Sequence, residues 1–264
     1  DGLFFVDVGA NSGAEPGMLA TDIPQICDES NFRAHFFEPH PEVFETLHQT
    51  VRSDSRLTAI NAAVSSAAGR LVFHAPSNFP DFKGGTAAKI SPDNPFGQHV
   101  SNNVLGEVDA VTLDEHMRHH AIENVHFLKV DVEGYEDQVF AGAFETLEKT
   151  PVVVFECRGT FNEEEWPYPA PIEFFRALGY DLWAIQDHGE VYMLDYPFLT
   201  SASWHIRLRK PQETNCMAIR RGWPHYEALL RRLRKQSGQD TGVAIYREMR
   251  RHGDKIRRCN CWAQ

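Results

Sequence analysis

No run of about 18 apolar residues occurs anywhere in this 264-residue chain, so the sequence offers no segment built to cross a membrane as a helix. No secretory leader is visible either, and the expected compartment is cytoplasmic. Cysteine is scarce and scattered: the five residues at 27, 157, 216, 259 and 261 are odd in number. That distribution predicts reduced thiols rather than a disulfide framework, with Cys259 and Cys261 read as part of a frayed tail. Positive charge is thin over most of the chain. The first 206 residues hold 11 Lys/Arg against 32 Asp/Glu, a net of −21 that argues against a nucleic-acid-binding body. From Arg207 onward the balance inverts to 15 against 5, a net of +10, which leaves −11 overall. The chain also lacks the G-x-G-x-x-G spacing with which dinucleotide folds hold a pyrophosphate on a helix N-terminus.

What is present is an alternation of short apolar β-type runs with helix-type periodicity, which predicts βαβ units and a mostly parallel sheet. The first strand is expected at Leu3–Val8 and the second at Ala34–Glu38. A helix after Pro39 and Pro41 should bury Val43, Phe44, Leu47 and Val51. Thr58–Val64 reads as a third strand. Arg70–His74 and Glu107–Thr112 bracket a long loop, roughly 75–105, of the kind that forms a functional lid or an insertion. Val125–Asp131 is the clearest later strand, and the helix after it should bury Val139, Phe140, Ala143, Phe144 and Leu147. Val152–Glu156, a helix at Ile172–Leu178, and strands at Tyr180–Ile185, Val191–Leu194 and Cys216–Arg220 close the domain. After Gly222, Tyr226, Leu229, Leu230 and Leu233 share one helical face while Arg231, Arg232, Arg234 and Lys235 crowd the rest. This basic extension, 222–264, is expected to pack on its own domain, with weak contact to an anionic surface as the alternative.

Chemistry concentrates at strand ends. In Phe4-Phe5-Val6-Asp7-Val8-Gly9-Ala10-Asn11-Ser12-Gly13 a buried strand runs into a turn whose glycines, at 9 and 13, can take positive φ and allow close backbone approach. Asp7, inside an apolar strand, is expected to accept hydrogen bonds from turn amides or from a cationic ligand group; pinning the turn is the plainer role. Glu38 ends the second strand, where an acid can accept both hydroxyls of a ribose; capping the following helix is the plainer role. Pro16, Gly17 and Pro24 interrupt the helix expected between them. His116 and His120 have the i, i+4 spacing of a metal pair, yet no carboxylate completes an H-E-x-x-H pattern. A solvent-facing helix without metal is the expected reading.

These features resemble the cofactor site of class I S-adenosyl-L-methionine-dependent methyltransferases. Phe127-Leu128-Lys129-Val130-Asp131-Val132-Glu133-Gly134-Tyr135-Glu136, Asn61-Ala62-Ala63-Val64-Ser65 and Thr214-Asn215-Cys216-Met217-Ala218-Ile219 narrow the resemblance to the FkbM-type family, over about residues 3 to 221. The resemblance implies a Rossmann-like, doubly wound, mostly parallel sheet with an antiparallel C-terminal hairpin, forming a 1–221 domain followed by the 222–264 extension. It also implies methyl transfer to a hydroxyl oxygen of a small molecule or sugar. By the same resemblance Gly9, Ala10, Asn11 and Gly13 would line the methionine part of the cofactor, with Asp7 beneath them. Glu38 would hold the ribose, and Asn61, Ala62 and Ala63 would lie near the adenine. Asp131 would face the sulfonium and the acceptor.

A hydroxyl acceptor gains from a general base. Asp131 and Glu133 lead the candidates, as i and i+2 neighbours on one strand face unless the chain has turned; Glu156 ranks behind them. For Glu133 a helix N-cap contact is the plainer role. Two other readings remain at this level: a degenerate cofactor fold that binds through its basic tail, and a nicotinamide-dependent oxidoreductase, against which the missing second glycine counts.

Overall fold

A computed structural model describes residues 2–14, 18–26, 31–76, 89–91, 100–133, 135–157, 170–185, 191–193 and 214–233. The chain divides into two compact units, Asp1–Lys149 and Thr150–Gln264, a division that falls inside the 1–221 span.

The first unit is built on four parallel strands. These are β1 (Leu3–Val8), β2 (Phe32–Phe37), β3 (Leu57–Ile60) and β8 (Phe127–Val130), in the order β8-β1-β2-β3. Phe4 through Val8 are all buried, as befits a central parallel strand covered on both faces. Helix α1 (Leu19–Ile26) connects β1 to β2 and includes Pro24, so it is short, at 8 residues. Helix α2 (Pro41–Val51) starts with proline in its first turn and buries Leu47 and Val51 one turn apart, while Val43 and Phe44 are only half-buried. The chain thus steps from β1 to β2 to β3 in one direction, and β8 lies on the opposite side of β1. The order reverses between β1 and β8, and above the carboxyl ends of those strands an α/β sheet opens a crevice for ligands.

Three sequence expectations change here. Thr58–Val64 is not one strand: β3 ends at Ile60, and β4 (Ala63–Val64) belongs to a second sheet of order β4-β7-β5-β6. That sheet also contains β5 (Gly69–Pro76), β6 (Lys89–Ser91) and β7 (Val100–Val111), and Ala63, Phe73, Val108 and Ala110 form its core with Leu71 against them. The expected loop at 75–105 therefore holds strand β6 and the first half of β7; its residues 77–88 and 92–99 lie outside the described residues. The helix after β8 is broken in two, α4 (Glu136–Ala141) and α5 (Phe144–Leu147). The break takes Phe144 off the buried stripe, and it is 48% exposed.

Helix α3 (Leu113–His119) enters through Thr112, whose side chain accepts the Glu115 amide at 3.1 Å. The Asp114 carboxylate in turn takes the amides of Glu145 (3.1 Å) and Thr146 (2.8 Å), holding the start of α5 against α3. His116 faces the protein interior rather than solvent. Its Nε2 lies 2.9 Å from Nδ1 of His35 on β2, and both imidazoles are buried. His119 and His120 are exposed.

The second unit is antiparallel, with β9 (Val152–Cys157), β10 (Tyr180–Ile185), β11 (Val191–Met193) and β12 (Thr214–Arg220) in the order β11-β10-β12-β9. The closing hairpin geometry implied by the resemblance is therefore present. Helix α6 (Ala170–Ala177) brings Phe175 onto Phe155 and Tyr180, with ring centroids 5.1 and 5.6 Å apart. Helix α7 (Tyr226–Leu233) is the described part of the basic extension. It is tied to its own unit: Asp181 accepts the Tyr226 hydroxyl at 2.9 Å and the Arg221 Nε at 2.7 Å, and Leu230 is buried. Parallel and antiparallel strands alternating with helices make this a Rossmann-like α/β fold. Among the described residues, no helix is long and apolar enough to cross a membrane.

Cys216 is fully buried and disulfide-bonded, against the expectation of reduced thiols. The scatter of the five cysteines in sequence concealed this. Alkylation of denatured, unreduced protein followed by mass spectrometry should leave Cys216 unlabelled; a fully labelled Cys216 would contradict the bond.

Candidate active site

The turn after β1 wraps around the ends of its two neighbours. The amides of Gly9 and Ala10 both donate to the Phe37 carbonyl at 3.0 Å, and the Asp131 amide donates to the Val8 carbonyl at 2.9 Å. Gly9 has φ +81°, and a Cβ there would sit 1.9 Å from the Asp131 carbonyl oxygen. Its lack of a side chain therefore lets β1 approach β8. Gly13, at φ +62°, has Leu47 Cδ1 and Ala20 Cβ at 2.7 and 2.8 Å from where its Cβ would lie. Both glycines are used to pack protein against protein, which sequence spacing could not separate from ligand approach. Between them Asn11 takes φ +52°, uncommon for a residue with a side chain and compatible with asparagine's short polar group.

That conformation delivers the Asn11 amide to Glu38. Oε2 of Glu38 accepts it at 3.0 Å, and Oε1 accepts the His40 amide at 2.8 Å. Both oxygens are thus aimed by main chain, and each keeps acceptor capacity beyond its one bond. Burial pushes the Glu38 carboxyl up to about 7, despite those two amides. Asn61 joins the same corner: its side-chain nitrogen donates to the carbonyls of Glu38 (2.9 Å) and Pro39 (3.1 Å). Ala62 and Ala63 are buried, and Ala63 is turned into the second sheet, in register with Ala110.

On the other side of the turn, Asp7 and Lys129 are partners across β1 and β8. Lys129 Nζ lies 3.4 Å from Asp7 Oδ1 and 3.0 Å from Asp131 Oδ2. Asp7 is buried, and burial raises its pKa while the Lys129 ammonium pulls it back. Burial alone would lower the Lys129 pKa, but Asp131 and Asp7 outweigh it and the net shift is upward. The cation beside Asp7 is therefore a protein side chain, where a ligand group or turn amides were expected. Sequence reading gave Lys129 no role, although a lysine two residues before an acid on one strand face, opposite an acid on the next strand, was a usable signal.

Asp131 is 41% exposed at its side chain, the most open of the three. β8 ends at Val130 and Glu133 has φ +60°, so the chain has already turned there, yet a Glu133 carboxylate oxygen still lies within 4.8 Å of one on Asp131. Just before α4, Glu136 Oε1 accepts the Val132 amide at 3.1 Å. Glu156 belongs to the second unit.

The glycine turn, the aimed acid of β2 and the acid of β8 thus meet at one end of the sheet. The family described as "Methyltransferase FkbM domain" matches residues 7–182, spanning all of these groups. The chain belongs to the FkbM methyltransferase family. A relative within reach of sequence comparison is the 2-O-methyltransferase NoeI of Sinorhizobium fredii (strain NBRC 101917 / NGR234), 24% identical over 155 residues. The match covers 57% of this chain and 61% of that protein. Among solved structures, the methyltransferase FkbM from Methylobacillus flagellatus KT superposes with a TM-score of 0.48 at 14% identity, over 83% of this chain and 43% of that one. The FkbM assignment accounts for the LKVDVEGYE stretch, which holds β8, Lys129, Asp131 and the turn into α4.

Proposed function

We propose that this FkbM-family protein is an S-adenosyl-L-methionine-dependent O-methyltransferase acting on a hydroxyl of a small molecule or glycan. The observation that carries this reading is Glu38. A buried carboxylate with each oxygen oriented by one backbone amide is a preformed acceptor for a pair of vicinal hydroxyls, such as those of a ribose. Gly9, Ala10, Asn11 and Gly13 would form the wall of the methionine part, and Asn61 the corner next to the nucleoside. When bound, S-adenosylmethionine supplies an activated methyl group on a sulfonium sulfur, which keeps the bonding pair as the carbon–sulfur bond breaks.

The protein's own work is to orient and to take a proton. Holding reactants in line accounts for much of the acceleration in such a transfer. As the acceptor oxygen forms its bond to carbon, its proton passes to Asp131, the open carboxylate at the end of β8, with a Glu133 carboxylate oxygen within 4.8 Å of it. The NoeI protein, named for 2-O-methylation, supports oxygen as the acceptor atom.

Isothermal titration calorimetry should detect S-adenosylmethionine or S-adenosylhomocysteine binding to the wild-type protein; heat from neither would sink the assignment. Glu38→Gln should weaken both ligands by about tenfold or more, because an amide nitrogen must then face one of the two backbone donors and a ribose hydroxyl loses its acceptor.

A further inference from the structure

We propose that His40 reads the purine base of the methyl donor, its Nδ1 donating to N1 of the adenine beside an acceptor supplied by Asn61. This rests on the donor assignment above and adds the residue that tells adenine from other bases. His40 is 8% exposed, and its buried Nδ1 has no hydrogen-bond partner among the described residues. A buried polar atom left unpaired is costly, so one that persists calls for a use. The usual use is missing: His40 is the N-cap of α2, yet its side chain makes no cap hydrogen bond. Its ring instead lies edge-on to Phe73 of the second sheet, with centroids 5.7 Å apart.

The place of His40 ties it to the nucleoside. Its own amide donates to Oε1 of Glu38, the acid assigned to the ribose, at 2.8 Å. A base joined to that ribose lies one glycosidic bond away. At the same corner Asn61 has both protons of its side-chain nitrogen committed to the carbonyls of Glu38 and Pro39, at 2.9 and 3.1 Å, which leaves its oxygen as an acceptor. Ala62 and Ala63 bring no polar side-chain atom. Among these four side chains only that of His40 can donate, because an imidazole can carry its proton on Nδ1. An acceptor from Asn61 and a donor from His40 complement the edge of adenine, which offers an amino group and the N1 lone pair. Hypoxanthine offers the reverse, a carbonyl oxygen and an N1–H.

The test combines calorimetry, with S-adenosylhomocysteine and S-inosylhomocysteine as probes that differ only at that edge of the base, and denaturant unfolding without ligand. Wild-type protein should prefer the adenosyl compound by about tenfold or more. His40→Phe keeps a ring against Phe73 and removes the nitrogen. It should weaken S-adenosylhomocysteine about tenfold and leave S-inosylhomocysteine within about twofold. Its unfolding midpoint should be no lower than that of wild type, since a buried unpaired atom is gone. His40→Leu, smaller than phenylalanine, should lose the same preference, which separates the missing nitrogen from any crowding by the phenyl ring. A purely structural ring would lower the midpoint and weaken both probes together. That result, or S-adenosylhomocysteine affinity unchanged in both variants, overturns the role of His40 and leaves the methyltransferase assignment standing. If wild-type protein binds neither probe nor S-adenosylmethionine, both fall.

Discussion

A Gly9→Ala variant is expected to lose about 3 kcal/mol or more of stability, and with it the geometry of the candidate site. Two costs combine. The left-handed backbone at φ +81° is unfavourable for any residue carrying a Cβ, and that Cβ would lie 1.9 Å from the carbonyl oxygen of Asp131. A flexible side chain could rotate aside, but a main-chain carbonyl at the end of a central strand moves only if β8 moves. Gly13→Ala is the useful comparison. Its backbone is also left-handed, yet the nearest obstacles, the tip of Leu47 at 2.7 Å and the Ala20 Cβ at 2.8 Å, are side-chain atoms on helices rather than a main-chain atom beside the central strand. Its expected cost is smaller, about 1–2 kcal/mol. Denaturant unfolding of the two variants side by side would show the difference. Equal costs would mean that the turn does not press on β8 as described.

The second large effect is on acid stability. Burial pushes His35 down to about 3, with His116, His120 and Arg33 adding to the effect. Burial likewise pushes His116 down to about 4, helped by His120 and His119. A histidine ordinarily titrates near 6.5. Both imidazoles are therefore neutral when folded and become charged on unfolding once the pH drops below about 6.5. The unfolded chain then binds more protons than the folded one. Stability is fully present above that pH and is lost as pH falls toward the folded values, by about 1.4 kcal/mol per pH unit for each imidazole. Glu38 works in the opposite direction. Its raised carboxyl holds a proton in the folded state that the unfolded chain releases, so its contribution is full below about 4.5 and fades as pH rises through about 7. Asp7 is also raised, and the lowered His126 adds to the histidine side.

A variant difference isolates the pair. His35→Phe/His116→Phe replaces two facing rings that already sit among Phe4 and Phe37. It should lose less stability than wild type on acidification, by about 2.7 kcal/mol per pH unit between 6.5 and 4.5. Parallel stability curves for the two proteins would show that the imidazoles charge freely in the folded state.

The parallel core was legible because buried strands and amphipathic helices impose distinct periods, and β1 was read to the residue. Glu38 was legible because an acid at the end of a second strand has a recurring use. What escaped depended on partners far away in sequence. Lys129 acquires meaning only when the register places it beside Asp7, and His116 only when α3 is laid over His35. Thr58–Val64 reads as continuous β sequence, but Asn61 spends its side chain on the carbonyls after β2, and the chain leaves for a different sheet. Glu133 illustrates the limit of counting alternation: the chain takes a left-handed residue there, one position before Gly134, and the i, i+2 rule no longer applies.

The pairing of β1 with β8 has a kinetic side. Phe4 and His126 are joined across 122 residues, with the whole second sheet looped out between them. The β1, β2 and β3 segments are closer in sequence and can meet after shorter loop closures, whereas docking β8 requires one long closure before any strand pairing compensates for it. Asp131 and Lys129 thus reach Asp7 and the Gly9 turn among the last events of folding. Until then the chain lacks the β8 half of the candidate site, so a complete site marks a chain whose topology is complete.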